Sequence, residues 1–185
     1  MGRQHRPRAS ETGEAKQCAM LTYLSEQCDV CGYEWDELTP AEIPQRLAAV
    51  GRAFATVMSS GDAELLIRPE PSTWSAVEYG SHVRDVLLHL RDRIVLGLAE
   101  DNPTPKPMFA DVRLRAGIYA ADRPDDLAQE IPFACRLMAR LVAALDDRQL
   151  ARPIFYPYPV PATRTLLWVA SQSLHEAEHH LADIR

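Results

Sequence analysis

The sequence predicts an all-α protein, a four-helix bundle with a short cysteine-containing extension ahead of it. Three observations predict this. Four stretches place apolar residues at three- and four-residue spacing, the segments between them are rich in proline and glycine, and 46% hydrophobic content over 185 residues is enough for one good core. Residues 1–17 are polar, carry both charge signs and lack periodicity, so they are expected to be a disordered tail. Residues 18–38 form the extension with Cys28-x-x-Cys31, and 39–185 the bundle.

The first predicted helix runs from about Pro40 to Met58, with Thr39 able to cap it and Pro40 suited to its first turn. Ile43, Leu47, Val50, Phe54 and Val57 mark its buried stripe. Gly61, Pro69 and Pro71 then break the chain. Ser75 to Glu78 has capping-box spacing, with Thr73 an alternative cap. The second helix is therefore expected to run from there to about Ala99, burying Val83, Val86, Leu87, Leu90 and Ile94. The prolines of 103–107 end it, and an irregular stretch follows to about Asp122.

A third helix is predicted from Arg123-Pro124 to about Asp146, kinked or loosened by Pro132. The fourth runs from about Thr163 to Ile184. The proline-rich Ile154–Pro161 before it reads as extended chain or a short edge hairpin.

A net charge of -6 with scattered Lys and Arg argues against nucleic acid as a partner. No apolar run approaches the roughly 18 residues of a membrane span, and no apolar run follows the first residues, so a cytoplasmic protein with no membrane partner is expected. A small-molecule substrate fits this profile, and a homodimer is left open. In that compartment four cysteines read as thiols or metal ligands rather than disulfides. Cys135 on the third helix is expected to pack, and Cys18 to have no role.

On the fourth helix Leu166, Ala170, Ser173, Ala177, Leu181 and Ile184 form the core stripe. Glu176 and His180 lie together on its edge, one turn apart, where a carboxylate and an imidazole can converge on one ion. His82 lies at the matching edge of the second helix, with Asp85 and His89 along the same flank. His82, Glu176 and His180 are thus a candidate site for a divalent metal, Zn²⁺, Ni²⁺, Mn²⁺ or Fe²⁺, among which the residues do not choose and of which Zn²⁺ and Ni²⁺ are put first, with positions left for water. Hydrogen-bonded boundary residues at a helix end are the simpler alternative.

His82 near the start of one helix and His180 near the end of the other meet only if these helices are antiparallel. The connection after Ala99 is long enough to cross a helix of roughly 36 Å and return the third parallel to the second, giving an up-down-down-up order.

Trp74-Ser75 with Glu78 and with His82 eight positions after the tryptophan, together with Glu176-x-x-x-His180 and the following Asp183-Ile184, resembles the DinB/YfiT-like superfamily of bacterial metal-binding four-helix proteins. That superfamily includes thiol-cofactor-dependent transferases and mycothiol-dependent maleylpyruvate isomerase. The resemblance covers about Pro40 to Ile184. It implies the up-down-down-up bundle, the metal triad His82, Glu176 and His180, and a low-molecular-weight thiol such as mycothiol as a further cofactor. Many members carry histidine where Glu176 stands, and the maleylpyruvate isomerases resemble this chain in having glutamate. Asp85, Tyr79 and His89 are candidates to orient ligands or shuttle protons, and Phe155-Tyr156-Pro157-Tyr158 to wall a cleft, beside their plainer readings as flank polars and a core cover.

Cys28-x-x-Cys31-Gly32 is half of a zinc knuckle, and His175-x-x-x-His179, expected to face outward opposite the core stripe beside Trp168 and Gln172, is a second pair without another task. A closed structural zinc site joining both pairs is one expectation, and a flexible dithiol near solvent the other. His175 and His179 are also an alternative to Glu176 and His180 as partners of His82.

Two functions are in play: a metal-dependent small-molecule enzyme, a thiol-dependent transferase or isomerase, or a non-catalytic metal- or ligand-binding bundle serving stress response or dimerisation. A methyltransferase is disfavoured, because no strand leads into a glycine-rich turn.

Overall fold

Glycine and leucine positions set how the helices approach one another in the computed structural model, which describes residues 27–35, 38–157 and 160–184. The long helices are α1 (Glu42–Met58) and α2 (Ala76–Ala99). After the six-residue α3 (Ala110–Arg115) and a 3-10 turn at Tyr119–Ala121 comes α4 (Pro124–Ala143). A single turn, α5 (Asp147–Leu150), precedes the hairpin β1 (Pro153–Tyr156) and β2 (Ala162–Thr165), and α6 (Leu166–Asp183) follows.

Gly80 near the start of α2 leaves room for Met58 at the end of α1 and for Leu127 and Ile131 near the start of α4. So α1 and α2 run antiparallel, while α2 and α4 run parallel. At the other end of α2, Gly97 receives Leu166 from the start of α6, so α2 and α6 are antiparallel. The order is up-down-down-up. The connection holding α3 makes the long return, with Tyr119 fully buried over α2 and its carbonyl accepting from Ser81 Oγ at 3.3 Å.

The apolar stripes meet in one core that takes Ile43, Leu47, Phe54, Leu87, Leu90, Ile94, Leu127, Ile131, Met138 and Leu166 fully out of water. Gly51 brings α1 close against Pro132 and Cys135 of α4, which continues through the proline. Cys135 is buried as expected, and burial pushes its thiol up to about 12. Cys18 and the tail lie outside the described residues.

Several expectations need correction. Thr39 does not cap α1. Its backbone N–H and hydroxyl donate to Glu42 Oε2 at 2.8 and 2.6 Å one turn early, so the helix begins at Glu42. Met58 is buried at its end, where Val57 is only partly covered. The helix α4 stops at Ala143, because Asp146 opens a separate turn with its own capping box to Gln149. Thr163 to Thr165 belong to the hairpin, in register Pro153↔Thr165 to Tyr156↔Ala162, so α6 begins at Leu166, the first residue of its apolar stripe, three residues later than the expected Thr163. β-branched threonines facing a strand partner favour the extended state. The stretch before Asp122 is not wholly irregular, since it holds α3 and the 3-10 turn. Among the described residues, no helix is long and apolar enough to cross a membrane.

The face of α6 opposite the core stripe is not solvent. Residues Trp168 to Leu174 are buried without a break, which a single 3.6-residue stripe cannot produce. The second cover is the extension. Tyr33 donates to the Ser171 carbonyl at 2.9 Å, Trp35 stacks on Trp168 with ring centroids 6.1 Å apart, and Trp35 Nε1 donates to Gln172 Oε1 at 2.7 Å. His175, expected to face outward, therefore lies under Tyr33 and Trp35.

Candidate metal centre

Ser75 starts α2. Its hydroxyl accepts from Glu78 N at 3.2 Å while Glu78 Oε2 accepts from Ser75 N at 2.9 Å, the reciprocal box read in the sequence. Arg68 Nε adds a bond to Glu78 at 2.7 Å. This rigid start places His82 two turns on, facing the groove toward α6.

On α6 the four-residue spacing stacks Glu176 and His180 one turn apart. His82 Nε2 lies 3.4 Å, and His180 Nε2 3.5 Å, from the same oxygen, Glu176 Oε2. The three side chains are 12, 18 and 17% exposed for His82, Glu176 and His180, so the cluster is sheltered yet reachable. The imidazoles form an edge-to-face pair at 5.0 Å, with Trp74 at 5.4 Å and Tyr119 at 6.2 Å from His82, and Tyr79 at 5.2 Å from His180.

Burial alone would push the Glu176 carboxyl up, but hydrogen bonds from His180 and His82 outweigh it and hold the group well below the usual carboxylate range. Burial likewise opposes the charged form of His180, and the bond to Glu176, aided by Asp183, overrides it and raises that imidazole. Both shifts describe donors gathered round one anionic oxygen.

Two residues that sequence reasoning left without a role orient this cluster. His180 Nδ1 lies 2.8 Å from Asp183 Oδ2, which directs Nε2 toward Glu176. Gln172 Nε2 donates to Glu176 Oε1 at 2.6 Å, leaving Oε2 for the histidines. The signal was available, since Gln172 and Asp183 stand four before Glu176 and three after His180.

Other candidates are placed elsewhere. Asp85 is held by Arg84 at 2.9 Å and by Arg113, and His89 lies 3.3 Å from the Lys106 carbonyl, both tied to structure. Tyr156 does not wall a cleft: it is buried, bonded by Arg93 and packed on Trp168 at 5.1 Å. Tyr158 lies outside the described residues. Arg93, a buried cation on the core side of α2, was not foreseen; it donates to the Lys106 carbonyl at 2.9 Å and lies 4.9 Å over the Tyr156 ring.

The second expected set also comes together. One ligand atom from each of Cys28, Cys31, His175 and His179 lies within 4.8 Å of every other, as does one from each of His82, Glu176 and His180. His175 and His179 are separated from His82 by the rotation of the helix and do not replace Glu176 and His180 beside it. His179 and His180 also group with Asp183, the residue already bonded to His180.

The model of the DinB superfamily matches residues 45–184, and this chain belongs to that superfamily. It is similar in structure to YfiT from Bacillus subtilis, described as a probable metal-dependent hydrolase with an unusual four-helix bundle topology, with a TM-score of 0.72 and 18% identity over 80% of this chain and 87% of that one. No curated protein sequence matches it.

Proposed function

We propose that this DinB superfamily chain is a metal-dependent enzyme acting on a small molecule in the cytoplasm, through a low-molecular-weight thiol such as mycothiol, as a transferase or isomerase. The observation that carries the metal reading is the donor set. His82 Nε2 and His180 Nε2 approach one Glu176 oxygen at 3.4 and 3.5 Å, close to the roughly 3.0–3.4 Å between donors that share one small divalent ion. Three protein donors leave coordination positions open, which a purely structural site does not.

A bound divalent cation lowers the pKa of a coordinated thiol or water, so that either is a nucleophile at neutral pH. The chain's own contribution is to hold and orient. Asp183 fixes the His180 tautomer, Gln172 turns the Glu176 carboxylate, and the rings of Trp74, Tyr79 and Tyr119 dry one side of the site. Tyr79 stays a neutral phenol, raised by burial and by Asp183, and can donate a proton beside the reacting centre. A second reading, water as the nucleophile, is supported by the description of the Bacillus subtilis protein as a probable hydrolase.

Cobalt-loaded protein carrying Cys28→Ser and Cys31→Ser, titrated with mycothiol, tests the choice. A new thiolate-to-cobalt absorption that disappears in His82→Ala supports the thiol reading. Cobalt binding without a response to the thiol favours water or a non-catalytic module, and failure to bind one divalent ion at all ends the metal reading.

A further inference from the structure

The extension ends in a tight turn. Gln27 and Glu34 pair as an antiparallel bridge, Cys28 N donates to the Tyr33 carbonyl and Gly32 N to the Cys28 carbonyl, each at 2.8 Å. Gly32 closes it at φ +72°, a conformation that favours glycine. The turn brings Cys28 and Cys31 to one side, against α6.

There they meet an imidazole with nothing to bond. Both ring nitrogens of His175 are buried and neither has a hydrogen-bond partner among the described residues. Buried polar nitrogens without partners are costly and rare, and this ring is pinned between Tyr33 at 5.1 Å and Trp35 at 4.6 Å, so it cannot turn out to water. His179, one turn on, lies with its ring centroid 5.2 Å from that of His175 and its Nδ1 3.9 Å from Cys28 Sγ.

We propose that Cys28, Cys31, His175 and His179 bind one zinc ion as a closed structural site that clamps the extension onto α6. Two thiolates and two neutral imidazoles balance the charge of Zn²⁺, as a half-buried site requires. The donor atoms lie within 4.8 Å of one another, and tetrahedral zinc needs about 3.3–3.8 Å between donors. Side-chain torsions of the two cysteines in the turn and of His179, around the fixed His175 ring, can close that gap. The ion would occupy one of the two orphaned His175 nitrogens. The clamp would also hold Trp35 over Gln172, whose amide orients Glu176. The site is separate from the triad, because residues 175 and 179 are rotated about 100° from 176 and 180 around the helix.

The test uses the full chain, purified without a metal-affinity tag and supplied with zinc. Elemental analysis is expected to find one equivalent that persists in His82→Ala and is lost in Cys28→Ser/Cys31→Ser and in His175→Ala/His179→Ala. Cobalt in His82→Ala should show thiolate charge-transfer absorption, a result independent of whether the triad binds metal. Because the cysteine variants can lose the extension's packing, the wild-type chain supplies a second measurement. Its Cys28 and Cys31 should resist iodoacetamide until a strong chelator is added. Equal alkylation with and without chelator, a Cys28–Cys31 disulfide in the reduced preparation, or unchanged zinc in the histidine double variant would overturn the proposal.

Discussion

Replacing Gln172 by Leu separates the two sides of α6. Trp35 Nε1 can only donate and a carboxylate can only accept, so the Gln172 carbonyl faces the indole and its NH₂ faces Glu176, as the 2.7 and 2.6 Å contacts show. Leucine keeps the volume and removes both bonds. The orphaned indole N–H costs about 1 kcal/mol at this half-buried position, and the bond to the carboxylate about 1.5–3. Leucine recovers about 1 by burying apolar surface. The net loss for the metal-free protein is about 1.5–3 kcal/mol, read from urea unfolding in chelator.

Metal affinity at the triad should fall about 10- to 100-fold, the usual effect of losing a partner that orients a ligand, read by competition with a chromophoric chelator. Gln172→Glu provides the control: it can keep the indole bond but sets a second carboxylate beside Glu176, so the metal-free protein should be destabilised while the added charge favours the cation. Unchanged stability and unchanged metal affinity in Gln172→Leu would refute the orienting role.

Two glycine variants test packing between helices. A Cβ at Gly97 would stand 2.4 Å from Leu166 Cδ2, a fully buried side chain, so Gly97→Ala should lose about 1 kcal/mol after overpacking is set against helix propensity. At Gly80 the nearest atom is Met58 Cε at 2.8 Å, the end of a long unbranched side chain that can shift more readily than Leu166, and Gly80→Ala should be near neutral; the opposite ranking in urea unfolding would sink the argument. Glu78→Gln tests the start of α2. The bond from Arg68, then the Ser75 amide, holds the Glu78 carboxyl below its usual range against burial, so its contribution is full above the unfolded pKa and is lost as pH falls through the folded one. The variant should cost about 1–2 kcal/mol at neutral pH, shrinking below about pH 4, and a difference that stays constant from pH 7 to about 3 would contradict the charge-based account.

The helices and the triad are legible because both follow from spacing. Ile43, Leu47, Val50 and Phe54 must share a face whatever else the chain does, and Glu176 must stack on His180. The wheel does not say whether the opposite face is wet. Trp168, Gln172 and His175 read as exterior, yet a separate segment more than 130 residues earlier covers them, a contact that no local period encodes. The signal was Tyr33 and Trp35, two large aromatic residues placed directly after the Cys28-x-x-Cys31 pair. Arg93 was illegible for a similar reason: its partners, Tyr156 and the Lys106 carbonyl, arrive from the hairpin and the long crossing.

The density of ligand-type residues at the end of α6 has a geometric explanation. Two i, i+4 pairs offset by one residue point about 100° apart on a helix. The pair Glu176 and His180 therefore meets α2, and the pair His175 and His179 meets the extension. A helix held on both sides cannot rotate without disturbing both clusters, so the position of Glu176 depends on contacts made by Tyr33 and Trp35 as well as on the core stripe. Loosening the extension should then weaken metal binding at the triad even though none of its residues touches the ion's donors directly. Trp35→Ala isolates this coupling: it should lower triad affinity in the same direction as Gln172→Leu, and combining the two should add little, because both changes break one relay from indole to amide to carboxylate. Independent, fully additive losses in that double-mutant cycle would show that the two faces of α6 act separately.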